Sequence, residues 1–415
     1  MKKLQAHALY FVLVISLIIA ILCGAILLFA YYSSILVHQN DRKIDLLINA
    51  QSGIELLMSD SEILMSNEKK DIDLFGEECD SVILYRKPWG LFEVVSAKAH
   101  RAGVSKTKVA LVGYKPDEDD DMALYMVDQN RPLRLSGSTR LEGTCFLPKA
   151  GVERDYVEGL SYTGTRLVYG EVKQSSNRLP ELDKELMTSY TQPETGGAEK
   201  VFAELAPGDT INVSFSDPAL VLTGGDIVIG AQRIVGHVVI QATRSVTVRE
   251  NASLADVRIH APVVYFAEGF KGSVQVMATD SVIIGEKCQF LYPSSVGLLK
   301  PSNNINEAQI KVGAETVFRG VMFSSQGHYD RSRTRILLEE KTVVLGFLYS
   351  DGKIDLKGEV NGSVVCRMFT RKSKSGVSEN LLVNATINRN ALPKEFVSTA
   401  LLNLSGKKEV AKWLE

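Results

Sequence analysis

The chain is poor in the residues that most often announce chemistry. Its 415 residues include five Cys, six His and two Trp. No two cysteines form a close C-x-x-C pair, so the usual spacing of a zinc site is missing. Charge of one sign is missing too: 47 Lys and Arg against 49 Asp and Glu leave a net charge of -2. A protein that grips the nucleic-acid backbone carries a basic surplus, so nucleic acid is not an expected partner. There is no G-x-S-x-G motif, and the Gly-punctuated stretch 135–170 lacks the Lys-Ser/Thr ending of a phosphate-binding loop. The acidic run DEDDD at 117–121 lacks the alternating ligands and turning Gly of a calcium loop and reads as solvated.

One long hydrophobic run is present. ALYFVLVISLIIAILCGAILLFAYY, residues 8–32, holds no charge. About 20 apolar residues suffice to cross a bilayer, and a cleavable signal peptide has a shorter core of roughly 7–15. The run therefore reads as a signal anchor, with 1–7 as its cytoplasmic N-terminus. Lys2 and Lys3 precede it, so the positive-inside rule keeps that end in the cytoplasm and exports the rest.

Helical spacing continues after the run. In 33–66, Ile44, Leu47, Ile48, Ile54, Leu57 and Met58 fall largely at intervals of 3, 4 and 7, one face of a helix. These six are the candidate helix-packing residues. One continuous helix from about Ala8 to Ser66 would be roughly 90 Å long. Gly53 costs something in its interior without forbidding it. The stripe needs a partner, either the chain's own body or helices of neighbouring molecules.

Beyond it the pattern turns to strands. A small β-rich segment is expected over 79–122, then a first solenoid part over 123–170. A polar insertion with a short helix near 180–188 follows over 171–207, then the main solenoid over 208–370 and a C-terminal strand and cap over 371–415. The strongest signal is periodic: Val246, Val264 and Val282 are each 18 residues apart, and so are Glu250, Glu268 and Glu286. DIVIG at 226–230 precedes this series, and QIKVG, RILLEE and KIDLKG resume it after longer gaps. Second strands, HVVIQA, DVRIHA and SVQVMA, lie between. Such a repeat cannot bury its apolar face alone and is expected to stack as a parallel β-helix. Inward positions do not recur every six residues, which favours the right-handed form. The fold class is thus mainly β, with a long N-terminal transmembrane and amphipathic α-helix before a parallel β-helix with insertions.

Candidate chemistry is thin. Stacked Glu250, Glu268 and Glu286 invite a cation or a sugar, but each follows a strand where a polar residue simply turns the chain into water. Arg249, Lys271 and Lys287 are near enough in sequence to screen them. Asp256, Arg258, Asp280 and Lys287 fall at unrelated coil positions, unlike the clustered groove of a β-helix polysaccharide lyase. His237 and His260 differ in phase, and His328 sits in the basic insertion SSQGHYDRSRTR with Tyr329, Arg331, Arg333 and Arg335. No catalytic, cofactor-binding or metal-binding residues are assigned. Cys79, Cys145, Cys288 and Cys366 allow three disulfide pairings or none.

A short basic start, an apolar helix running into the amphipathic NAQSGIELLMSD, and a β-rich exported body together resemble type IV pilin-like proteins, minor pilins and pseudopilins above all. The ending KKEVAKWLE is similar to the Trp-acidic terminus of some pilin-like chains, and the solenoid resembles that of bactofilins. QAHALYFVLVISL has neither the Gly nor the Glu of the family's processing site, so no functional residue is carried over. The resemblance implies a non-enzymatic structural subunit, single-pass in the bacterial inner membrane with a periplasmic body. Its partners would be the lipid bilayer and, through the helix, copies of itself or pilin-like subunits of a pilus or secretion assembly. The alternative is an anchored β-helix that binds or cleaves cell-surface polysaccharide.

Overall fold

The structure is a computed structural model that describes residues 7–59, 68–74, 76, 81–101, 103–116, 121–192, 197–301, 306–326, 333–373, 376–402 and 406–414. Helix α1, His7–Ser59, is unbroken over 53 residues. It contains no Pro, and Leu, Ile and Ala dominate, so only Gly24 and Gly53 oppose it by propensity. Residues 60–66, expected to extend it, lie outside the described residues.

Four antiparallel strands follow: β1 (Lys69–Ile72), β2 (Ser81–Trp89), β3 (Phe92–Arg101) and β4 (Val104–Pro116). The C-terminal strand, Gly406–Leu414, returns from the far end of the chain to pair antiparallel with β4. Period-2 alternation gives this sheet two apolar faces. Val82, Leu84, Val95, Ala97, Ala99, Ala110 and Val112 pack under α1. Trp89, Val94, Val109 and Leu111 face the other way, onto the body.

The body is a solenoid of parallel pairings. Val246 lies opposite Val264 and Val264 opposite Val282, the register the 18-residue spacing predicts. The column continues through Ile310, Ile336 and Ile354, with steps of 28 and 26 residues from Val282 to Ile310 and from Ile310 to Ile336 before the step of 18 returns. Below Val246 the step is 19, pairing Ile227 rather than Val228, because the register shifts between Gly224 and Asp226. The HVVIQA series forms a second column, Ile240, Ile259, Val276, Val296, Met322, Leu348 and Val364. A third runs Phe290, Phe318, Val344, Val360, Ile387 and Leu141. All these side chains are fully buried, so every coil contributes to one continuous core.

The order of coils in space is not their order in sequence. Leu124 pairs parallel with Val364, Cys145 with Leu124, and Val172 with Cys145. Residues 122–174 therefore cap the end of the stack reached last by the chain. From there the chain crosses back along the solenoid to begin the opposite end. Tyr125 Oη donates to Arg178 O at 2.9 Å, Tyr349 Oη to Pro180 O at 3.3 Å, and Tyr190 packs on Phe323. The return path includes α2, Lys184–Thr191, whose N-cap Asp183 accepts from Leu186 N at 2.7 Å. Ala198–Val201 then pairs parallel with Leu220–Thr223, starting the other end.

Candidate functional site: the joints of helix, sheet and solenoid

The docked part of α1 is short. Leu46, Asn49, Ala50, Gly53, Ile54 and Leu57 are buried, and they follow one another at helical spacings. Gly53 is what permits the contact: a Cβ there would meet Leu84 Cδ2 at 2.9 Å, Val82 Cγ1 at 3.0 Å and Ala97 Cβ at 3.1 Å. At the margin Lys108 Nζ donates to Gln51 Oε1 at 2.8 Å, and Gln51 Nε2 donates to Glu55 Oε1 at 3.0 Å.

The six helix-packing candidates therefore separate. Ile54 and Leu57 are buried against the chain's own sheet, with Met58 partly buried beside them. Ile44, Leu47 and Ile48 remain exposed, as do Leu36 and Val37 before them. At about 100° per residue, Val37, Ile44 and Ile48 lie on the face opposite Gly53. Ala50 and Gly53 do not stand out in the sequence because hydropathy underrates Ala and Gly, whereas Leu46 is apolar but falls outside the stripe drawn through Ile44, Leu47 and Ile48. Their spacing from Ile54 and Leu57 was the available signal.

A second joint binds the sheet to the solenoid through the β2–β3 turn. Gly90, at φ 63°, lets the chain reverse between Trp89 and Leu91. Gln275 on the solenoid grips both flanks: Leu91 N donates to its Oε1 at 2.9 Å, and its Nε2 donates to Trp89 O at 2.9 Å. The Trp89 ring packs edge-on to Phe215 and His237, with Arg258 5.0 Å from its centroid. Arg258 Nη2 donates to His260 Nε2 at 3.0 Å, so the imidazole accepts there and is neutral. Burial, and secondarily the Arg258 charge, pulls the His260 pKa down to about 3. The edge strand of the sheet is tied by Lys412, whose Nζ reaches both Asp256 carboxylate oxygens at 2.7 Å.

The residues singled out for chemistry do not converge. Glu250, Glu268 and Glu286 are exposed at the coil corners. Lys287 Nζ bridges to Glu268 Oε1 at 3.1 Å, and the pairing with Glu268 raises the lysine's pKa. Lys287, Glu315 and Lys341 hold the left-handed turn positions of successive corners. Inside each corner a side chain bonds to a carbonyl of the coil before: Thr316 Oγ1 to Gly285 O at 3.0 Å and Thr342 Oγ1 to Gly313 O at 3.2 Å. His237 Nδ1 donates to Asp217 O at 2.7 Å under Trp89. His328, Tyr329 and Arg331 lie outside the described residues. On the described residues at either side of them, buried Asp351 accepts from Ser325 Oγ, Gln326 N and Thr334 Oγ1 at 2.7, 2.8 and 3.1 Å.

Cys145, Cys288 and Cys366 are buried free thiols, and burial pushes the Cys145 pKa up to about 12. Cys79 lies outside the described residues. Among the described residues no three His, Cys, Asp or Glu come together as a metal site would require. An open groove of about 720 Å³ runs between the return segment and the solenoid, lined by Arg178, Leu182, Lys184, Tyr349, Asp351 and Arg367.

No protein-family model matches the chain, and no curated protein matches it. Among solved structures it is similar to the competence-associated pilin ComZ from Thermus thermophilus. That likeness has 11% identity and a TM-score of 0.26, over 85% of this chain and 87% of that chain. A TM-score so low carries no argument.

Proposed function

We propose that the chain is a non-enzymatic, single-pass membrane subunit of the pilin-like kind, which presents a rigid β-solenoid outside the cytoplasmic membrane. What carries this reading is the split environment of one helix. From Leu9 to Val37 the large apolar side chains of α1 are exposed apart from half-buried Val14 and Ile35, whereas Leu46, Ala50, Ile54 and Leu57 contribute to a folded core. The apolar part of α1 is long and apolar enough to cross a bilayer. Water would not tolerate so large an uncovered apolar surface, whereas lipid and neighbouring helices would.

In this reading the bilayer of the bacterial inner membrane covers the apolar part. The second exposed stripe, Val37, Ile44 and Ile48, meets helices of like subunits just above it. Gly53, Ile54 and Leu57 act differently, fixing the angle between anchor and body so that displacement of one moves the other.

The test separates those two roles. Ile44→Asp with Ile48→Asp is expected to leave the body protease-resistant and the chain membrane-bound in alkaline carbonate, while abolishing co-purification with envelope partners. Unchanged co-purification overturns the assembly role, and release by carbonate overturns the anchor. Specific, tight binding of a defined surface glycan by the purified chain would favour the polysaccharide alternative instead.

A further inference from the structure

The sheet has a basic end, and its position along α1 indicates what that end meets. Lys108 is level with Gln51, and at the other end Tyr114 and Lys408 line a cavity with Glu55, Met58 and Ser59. β4 and α1 therefore run in the same sense, and the β3–β4 turn points toward the apolar half of the helix. Val104 lies four residues before Lys108, about 13 Å along the strand at about 3.3 Å per residue. On a helix 13 Å is about nine residues, which puts the turn level with about Arg42. The first charged residues after the uncharged run are Asp41, Arg42 and Lys43. The turn thus lies at the height where the helix leaves its apolar phase.

That height is rich in cations. Arg42, Lys43 and Lys98 are exposed, and His100, Arg101 and Lys106 are half-buried around the turn. Strand parity puts Arg101 and Lys106 on the helix side of the sheet and Lys98 on the other, so positive charge surrounds the emerging helix. The acids facing this region from the packed elements are Asp41, Asp45, Asp71 and Asp73, leaving five Lys and Arg against four carboxylates among the described residues. At the tip, Gly103 with φ 83° turns the chain and Val104 is 37% exposed, an apolar side chain among the cations.

We propose that this end of the sheet, Lys98, Arg101, Val104 and Lys106 together with Arg42 and Lys43, rests on anionic phospholipid headgroups of the bilayer that α1 enters. The proposal rests on the anchor reading above. A negatively charged leaflet attracts cations held within a Debye length, about 8–10 Å at physiological salt. The turn supplies those cations on a rigid sheet, and Val104 can enter the headgroup layer between them. Contact at the helix and at the turn would hold the solenoid at one tilt above the membrane, where the helix alone leaves it free to swivel.

The experiment uses the full chain reconstituted in vesicles of phosphatidylcholine alone or mixed with phosphatidylglycerol. Val104→Cys, in a Cys23→Ser and Cys79→Ser background, carries a polarity-sensitive fluorophore. Flotation with both vesicle types is expected, with blue-shifted, brighter emission only where phosphatidylglycerol is present, falling back as salt is added. Lys98→Glu with Lys106→Glu is expected to abolish that shift without affecting flotation, and the milder Lys98→Gln with Lys106→Gln to reduce it. Flotation with identical emission in both vesicle types overturns the headgroup contact and leaves the anchor intact. Failure to float with either overturns the anchor and this proposal with it.

Discussion

The solenoid and the helix–sheet unit bury apolar surface in opposite ways. In the solenoid, bulk repeats: Phe266, Phe270, Phe290 and Phe318 stack with centroids 4.9 to 5.4 Å apart, and each coil is covered by the next. In the helix–sheet unit, smallness decides: Ala50 and Gly53 meet Ala97, Ala99 and Ala110, and the backbones approach closely. A repeated core distributes a defect over neighbours, whereas a close-approach core has no slack at the point of contact. A rigid display needs both, a stiff body and a joint of fixed angle.

The sharpest way to break the pairing is at the joint between them. Trp89→Ala empties the space among Phe215, His237 and Arg258 and should cost about 3–5 kcal/mol, the usual range for a buried large aromatic. Its diagnostic effect is on cooperativity. The parent chain is expected to unfold in one transition and the variant in two, the sheet first, as followed by calorimetry in detergent. A single, merely shifted transition would mean the two units are coupled mainly elsewhere, with Lys412 and Asp256 the next place to cut.

Gly53→Val probes the close-approach core alone. With Leu84, Val82 and Ala97 all within 3.1 Å of the position a Cβ would take, overpacking should cost about 1–3 kcal/mol. Protease cleavage within 46–57 is expected to rise while the solenoid's melting stays unchanged. Loss of solenoid stability in the same variant would show that the sheet transmits strain into the coils.

The difference between the units also explains what the sequence made legible. Inward residues of the solenoid recur at a fixed interval, so spacing alone puts Val246, Val264 and Val282 in register. The stacking of 122–174 on Glu359–Ser373 has no such signal, because it joins residues some 240 positions apart: Ser363 Oγ donates to Met122 O across 241. The docked face of α1 was half legible. Ile54 and Leu57 stand out by hydropathy, but the contact is permitted by Gly53 and Ala50, whose value lies in the volume they lack. The Glu250 series was visible as a pattern but not as chemistry, since a recurring corner and a recurring ligand look alike in sequence.

A third expected effect depends on pH and belongs to the solenoid side of the joint. His260 is held neutral, its pKa pulled down to about 3, while the unfolded chain titrates near 6.5. Below about pH 6.5 the unfolded state binds the proton and the folded state does not, so stability falls as pH falls, by up to about 1.4 kcal/mol per unit. Arg258 faces the ring and cannot relieve this by deprotonating. His260→Gln should therefore be less stable than the parent at pH 7.5 and lose less on acidification, with the two stability curves converging toward pH 5. Parallel curves would place the acid sensitivity of the joint elsewhere.

The smallest effect is expected at the feature most conspicuous in the sequence. Lys287→Ala removes the bridge to Glu268, but both side chains are more than half exposed, at 59% and 62%. An exposed pair gains little over hydration, so the unfolding midpoint should not move measurably at physiological salt. The corner is held by backbone: Gly269 N donates to Glu286 O at 2.9 Å and Lys287 N to Ala314 O at 2.9 Å, and both bonds survive the substitution. Lys287→Pro is the contrasting variant, because it deletes that N–H and forbids the positive φ of 54°. If Ala proved as damaging as Pro, the charges rather than the coil would be organising the corner, and the Glu250, Glu268 and Glu286 series would again be a candidate for binding.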